Sequence, residues 1–370
     1  MAERMFRAVV LTPVHIGSGD RLAPEDYVLE ERTNRLVRLR TGALLRDLGE
    51  AERGRLESLL RENRFREARR LLGAHAGEAK YRAWEVAAGK ESVAELKAAV
   101  EEPERRRGEV LALPRNPYTG AVIVPGSAIK GAIRTALLSA CVNHPPASKK
   151  AEVARRIEEA KRAELKKAWQ TLESVGFQYP RSETEKDPMR LIHVADAEVR
   201  PEAVRVDRAV IVNRTGEEAR AGGIQMHVER LVSRADGGAG AEFGVRIALE
   251  EERARDPRIR ELLNVFFDWE FFGAACNAFF LGRWQEEAAA FARVKEAVGE
   301  RPELREGEIL LRVGRFCHFE SLSVDGYREG WDAQRKRPIR GMGSSRTLCH
   351  TAAGRLAPFG WIVLRPGEQR

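Results

Sequence analysis

Four short segments of this 370-residue chain concentrate glycine, hydroxyl and cationic side chains, the types that hold phosphates. The clearest reads Val124-Pro125-Gly126-Ser127-Ala128-Ile129-Lys130-Gly131-Ala132-Ile133-Arg134. Strand character at residues 121–124 should feed a tight turn at Pro125-Gly126. Ser127 is then placed to cap a helix starting at Ala128, whose free N–H groups form an anion site. Ile129, Ile133 and Leu137 recur at i, i+4 and i+8 and predict the buried stripe. Lys130 and Arg134 share the adjacent face one turn apart, so a phosphate at Ser127 would meet N–H donors, a hydroxyl and two cations. The lysine lacks a preceding glycine and a following Ser or Thr, so this is no nucleotide P-loop. Standing alone, the segment also fits an ordinary capped amphipathic helix.

Three further segments share its composition. His15-Ile16-Gly17-Ser18-Gly19 follows a strand, and its glycines would let backbone N–H groups approach a ligand closely. His15 has no second catalytic partner near it in sequence, so a structural or RNA-contacting role is expected rather than general-base work. Arg340-Gly341-Met342-Gly343-Ser344-Ser345-Arg346 follows the basic run Arg335-Lys336-Arg337. Residues 205–232 read as a long β-hairpin carrying Arg214, Gly222-Gly223 and Glu229, with Ile224 or Met226 able to wedge between bases. The plain alternatives are a turn, a surface hairpin and core-facing apolar residues. The adjacent pairs Cys317-His318 and Cys349-His350 lack metal-ligand spacing, so buried thiols and no metal or other cofactor are expected.

The elements that must position these segments follow from periodicity. Strands are expected at 4–11, 121–124, 191–195, 209–212, 225–231, 243–249, 310–314 and 360–364. Helical patterns fill 44–72, 92–100, 149–172 and 257–298. The order predicts one α+β domain over 1–370, with β–α–β–β–α–β connectivity and helical insertions at about 43–104, 143–180 and 251–300. Net charge is +8 and the sequence pI about 9.5, which favours a polyanionic partner. Four dispersed cysteines suggest no disulfide framework. The residues after Met1 predict no secretory signal, and no apolar run reaches the length of a membrane span, so a cytoplasmic protein without membrane contact is expected.

Taken in order, the four segments resemble the RAMP superfamily of type III CRISPR effector complexes. The opening at 11–19, with Pro24, Asp26 and Tyr27 downstream, is most similar to the cap subunits of the Csm (type III-A) complexes. The resemblance implies a ferredoxin-like, RRM-derived core. It implies a non-catalytic subunit that holds the 3′ portion of a guide RNA (crRNA) within a ribonucleoprotein directed against foreign RNA or DNA. Partners would be the guide and target RNA, the backbone RAMP subunit and a small helical subunit. RNA contacts would come from His15, Gly17, Ser18, Gly19, Ser127, Lys130, Arg134, Arg214, Ile224, Met226, Arg340, Gly341, Gly343, Ser344 and Arg346. Asp26 falls where the backbone subunit of the family carries a catalytic aspartate, but Glu25 and Tyr27 depart from that context. Asp26 is therefore expected to orient its loop. The alternatives are an endoribonuclease using Asp26 or His15, and the equivalent cap subunit of a Cmr-type complex.

Overall fold

The computed structural model describes residues 2–367 except 102–107, 144–149, 164, 180–181, 219–225, 255, 263–264, 266, 300 and 333–336. Strand β1 (Ala2–Val10) buries Phe6, Ala8 and Val10 on one face and exposes Arg7 on the other. It is followed by β2 (Arg21–Leu22), β3 (Tyr27–Glu30), β4 (Arg35–Leu39) and the helices α1 (Thr41–Asp47), α2 (Glu50–Arg61) and α3 (Phe65–Gly73). Then come β5 (Arg82–Ala88), α4 (Lys90–Glu101), β6 (Val110–Leu111), β7 (Val122–Val124), α5 (Gly126–Asn143), α6 (Lys150–Ala163) and α7 (Leu165–Gly176). Strands β8 (Ile192–Val194), β9 (Ala197–Val199), β10 (Val204–Asn213), β11 (Met226–Leu231) and β12 (Glu242–Leu249) precede helices α8 (Glu251–Ala254), α9 (Pro257–Leu262), α10 (Trp269–Ala290) and α11 (Ala292–Val298). The closing strands are β13 (Ile309–Arg312), β14 (Glu329–Asp332), β15 (Arg337–Arg340), β16 (Ser345–His350), β17 (Leu356–Pro358) and β18 (Trp361–Pro366).

The first sheet has the order β13-β18-β1-β12-β8, antiparallel at every pairing. Within it β1-α5-β8-β12-α10-β18 is a ferredoxin-like unit: the last strand lies beside the first, and the third separates the first from the second. Strand β13 is an added edge. Helices α5 and α10 pack against each other and close this sheet. Their apolar positions, among them Ile129, Ile133, Leu137, Phe272, Phe279 and Phe280, join Trp361 and Leu364 in the main core. The expected α+β ferredoxin-like core is the architecture observed.

The second sheet runs β2-β6-β11-β10-β5-β4-β3. Strand β10 is long enough to take two partners besides β5: residues 204–209 pair with β11, and residues 209–213 pair with β16. The expected hairpin at 205–232 is thus β10–β11. The sheets meet where the segment after β1 crosses over, Leu231 N donating to Val14 O (2.9 Å).

Two of the three insertions differ from the helical expectation. Residues 43–104 contain β5, which lies between β4 and β10. Within 251–300, α10 is the second core helix rather than an addition. The segment 143–180 carries α6 and α7. Helical periodicity over 44–72 resolves into three helices because Gly49 caps α2, and Asn63 (φ 56°) turns the chain between α2 and α3. The β3–β4 hairpin and β16 were not foreseen.

Candidate nucleic-acid interface

The first glycine segment is built on a buried histidine. Leu11 N and Thr12 N both donate to Trp361 O (3.0 and 3.3 Å), steering the chain from β1 toward the second sheet. His15 is fully buried, with Nδ1 2.7 Å from Glu229 O. A carbonyl only accepts, so Nδ1 carries the proton and Nε2 is a bare acceptor, buried without a hydrogen-bond partner among the described residues. The ring stacks on Phe316 (6.0 Å, 28°), and Arg315 N donates to His15 O (2.8 Å). Glycine is required at 314, where φ is +89° and a Cβ would stand 2.4 Å from His15 O. Burial lowers the His15 pKa to about 4 against the Glu229 hydrogen bond, with Arg315 adding to the depression. His15 is therefore an enclosed, neutral ring at pH 7, and of the structural and RNA-contacting roles expected from sequence its burial leaves no exposed surface for the second.

Beyond it, Gly17, Ser18 and Gly19 are exposed. The Ser18 hydroxyl is turned inward, donating to Ala112 O (3.2 Å) and accepting from Asp20 N (3.0 Å). What the loop offers outward is backbone and the Arg315 side chain, which reaches within 3.9 Å of where a Gly17 Cβ would stand. Arg315 is exposed, lies over the Phe316 ring (5.3 Å), and has no ion-pair partner among the described residues. Sequence reasoning missed it. The available signal was Gly314-Arg315 directly after a strand, the same glycine-plus-cation pattern as the other segments.

Helix α5 begins at Gly126, earlier than expected, and is not capped by Ser127. Gly126 N donates to Asp196 Oδ1 (2.7 Å) instead. A Cβ at 126 would lie 2.1 Å from Val194 O, so only glycine permits this approach. Ser127 remains exposed at the first turn, and Lys130, half-buried, makes no hydrogen bond or ion pair among the described residues. Burial lowers the Lys130 pKa, opposed by Asp187 and reinforced by Arg134. Arg134 behaves otherwise. It pairs with Glu173 (2.9 Å) and Asp187 (2.7 Å) and lies over Phe177 (5.2 Å). The i, i+4 spacing does put it beside Lys130, but α7 packs on that face and takes up its guanidinium.

The remaining two segments come together. Exposed Arg214 at the end of β10 reaches Met342 O (3.5 Å). Gly341 (φ 80°) and Ser344 are exposed, and Gly343 N donates to Glu320 Oε1 (2.6 Å). Arg340 closes β15, its side chain outside the described residues. Arg346 is a correction: it is 2 % exposed, with Nε on Glu287 (2.8 Å), Nη2 on Glu320 (3.1 Å) and the Phe291 ring 4.3 Å away. Arg312 shares Glu287 (2.9 Å), so the four charges lock α10, β13, β16 and the 319–322 turn together. Met226 packs against a core cluster containing Leu111, Val228 and Phe359, which removes it as a base wedge. Ile224 lies outside the described residues.

Glu229 ties the region together. It is fully buried, accepts from Leu113 N (2.8 Å) and pairs with Arg115 (2.6 Å), whose guanidinium lies 3.9 Å over Trp84. Burial pushes its pKa up and Arg115 pulls it back. Asp26 accepts from Ala23 N (2.9 Å) and pairs with Arg38 (2.5 Å), which fixes the 24–26 turn as expected for a loop-orienting residue. Cys317 and Cys349 are buried free thiols, and no cluster of three metal-ligating side chains occurs among the described residues.

No curated protein matches the chain by sequence. Its fold is similar to a chain of a cryo-EM structure of a Csm–crRNA–target RNA ternary complex of a type III-A CRISPR–Cas system. That pair has a TM-score of 0.68 and 20% identity, covering 99% of this chain and 100% of the other. It is also similar to crystalline Csm5 of T. onnurineus, with a TM-score of 0.61 and 20% identity over 96% of this chain and 99% of that one. A family model described as the RAMP superfamily matches residues 7–284. With most of the chain inside that match, and a ferredoxin-like sheet carrying glycine loops at its strand ends, this protein belongs to the RAMP superfamily.

Proposed function

We propose that this chain is the cap subunit of a type III-A (Csm) effector and grips the 3′ portion of a crRNA without cutting RNA itself. The observation that carries the proposal is the end-to-end similarity to a chain of a Csm–crRNA–target RNA complex, 99% against 100%. The surface is chemically suited to it. Exposed backbone at Gly17-Ser18-Gly19 and Gly341, the Ser127 and Ser344 hydroxyls, and the cations Lys130, Arg214 and Arg315 are groups that contact phosphates. Its partners would be the guide and target RNA, the backbone RAMP subunit and the small helical subunit, in the cytoplasm. No described helix is long and apolar enough to cross a membrane.

A nuclease reading fares worse. Asp26 is occupied by Ala23 N and Arg38, and His15 is enclosed. Ribonuclease chemistry needs a paired acid and base, or carboxylates grouped for metals. The test is to purify the complex through this chain and sequence the RNA that comes with it. Repeat-derived guides are expected, with the 3′ end protected from nuclease. Recovery of random cellular RNA, or of a complex whose guide 3′ end is equally protected without this chain, refutes the assignment.

A further inference from the structure

Residues 114–123 form a tight hairpin whose tip, Asn116-Pro117-Tyr118-Thr119-Gly120, spends its polar groups on itself. Asn116 Oδ1 accepts from Tyr118 N (2.9 Å) and Thr119 N (3.3 Å), and Thr119 Oγ1 accepts from Ala121 N (3.2 Å). Gly120 N donates to Asn116 O (2.8 Å), Asn116 N to Ala121 O (2.9 Å), and Ile123 N to Pro114 O (2.8 Å). Pro117 fixes its own φ, and Gly120 supplies the positive φ (73°) that closes the turn. Arg115 ties the foot to buried Glu229 and donates to Gly120 O (3.1 Å), while Asn116 Nδ2 reaches Glu198 (3.4 Å).

On this rigid post stands Tyr118 at 96% exposure, against 56% for Leu322, the next most exposed large apolar residue described. The fold gains nothing from holding an aromatic ring in water. A ring held by a preformed turn loses little freedom on binding, which is the design of an aromatic recognition residue. Its flanks, Pro117 and Thr119, are exposed, so the ring is open to a ligand on both sides. Its place is between two of the phosphate-suited segments. Ala112, which bonds Ser18 and Asp20, lies six residues before it, within about 20 Å of chain. Strand β7 on the other side runs directly into Gly126 and Ser127.

We infer that Tyr118 is a base-stacking post: its ring takes the face of one unpaired nucleobase of single-stranded RNA whose backbone runs between the Gly17–Gly19 loop and the start of α5. The inference rests on the proposed RNA-binding function and adds a contact of a different kind. Stacking is indifferent to base identity, so it suits a guide whose sequence varies.

The test measures affinity of the full chain for a guide-length single-stranded RNA across a salt series, for wild type, Tyr118→Ala and Tyr118→Phe. Tyr118→Ala is expected to weaken binding by about 5- to 150-fold at every salt concentration, with the salt slope unchanged, and Tyr118→Phe to bind within about twofold of wild type. Replacing the bases by abasic sugars should erase the difference between wild type and Tyr118→Ala. The melting temperature should not move, since the ring packs on nothing. Equal affinity of wild type and Tyr118→Ala, with wild-type binding tight and salt-dependent, overturns the stacking post and leaves the RNA-binding function standing. Loss of partner subunits by Tyr118→Ala with RNA affinity unchanged makes the ring a protein contact and also overturns it. Absence of RNA from wild-type chain, alone and in the purified complex, removes both.

Discussion

Acid should weaken this fold through His15 in particular. Its pKa falls from 6.5 to about 4 in the folded chain because the ring is buried, with Arg315 adding to the depression. Between those values the unfolded chain binds a proton that the folded chain does not. Stability from this group is therefore complete above about pH 6.5 and is lost as pH falls toward 4. The displacement corresponds to about 3 kcal/mol, or about 4 °C in melting temperature for a chain of this length. His318, lowered to about 2 by burial with Arg312 and Arg346 nearby, acts in the same direction. His15→Asn isolates the first effect: its amide can still donate to Glu229 O but does not titrate. Urea unfolding of both proteins at several pH values from 7.5 to 4.5 gives the difference in stability. The variant loses ring packing on Phe316 at every pH, so a constant offset is expected. Superimposed on it, the wild-type advantage should shrink by most of the 3 kcal/mol as pH drops. A difference that stays flat across the window would show that His15 is protonated in the fold or reachable by water, and would refute the enclosed-ring account.

Arg346→Met should cost about 3–5 kcal/mol, because Glu287 and Glu320 are left buried with less positive charge, and denaturation will register it. RNA affinity of the folded variant should be unchanged. With three phosphate contacts from Lys130, Arg214 and Arg315, the slope of log K against log salt should be about −2, each Ala replacement removing about 0.7; a slope unaltered by all three replacements would place the grip elsewhere. Asp26→Asn should leave target cleavage by the reconstituted complex intact, and disappearance of one cleavage product on a labelled target would restore the catalytic alternative.

Which parts of this were legible in the sequence follows from how far apart the interacting groups lie. The core order could be read because each strand alternates, or runs apolar, over its own few residues, and the helices follow their own 3.6-residue period. Strand β5 was hidden because its seven residues sit between strongly helical stretches, and what makes them a strand is pairing with β4 and β10. The same limit decided the site. Glycine approaches could be foreseen, since the requirement is carried by the residue itself. The fate of an arginine could not. Arg134 and Arg346 have the look of phosphate ligands in the chain, yet their acids stand on other elements: Glu173 on α7, Asp187, Glu287 on α10 and Glu320 in the 319–322 turn. Arg315 has no such partner described and is brought to Gly17 from nearly three hundred residues downstream. The +8 net charge therefore says little about where a polyanion would lie. An arginine beside glycines becomes a candidate ligand once the fold has left it without an acid, and that sorting removes Arg134 and Arg346 while admitting Lys130, Arg214 and Arg315.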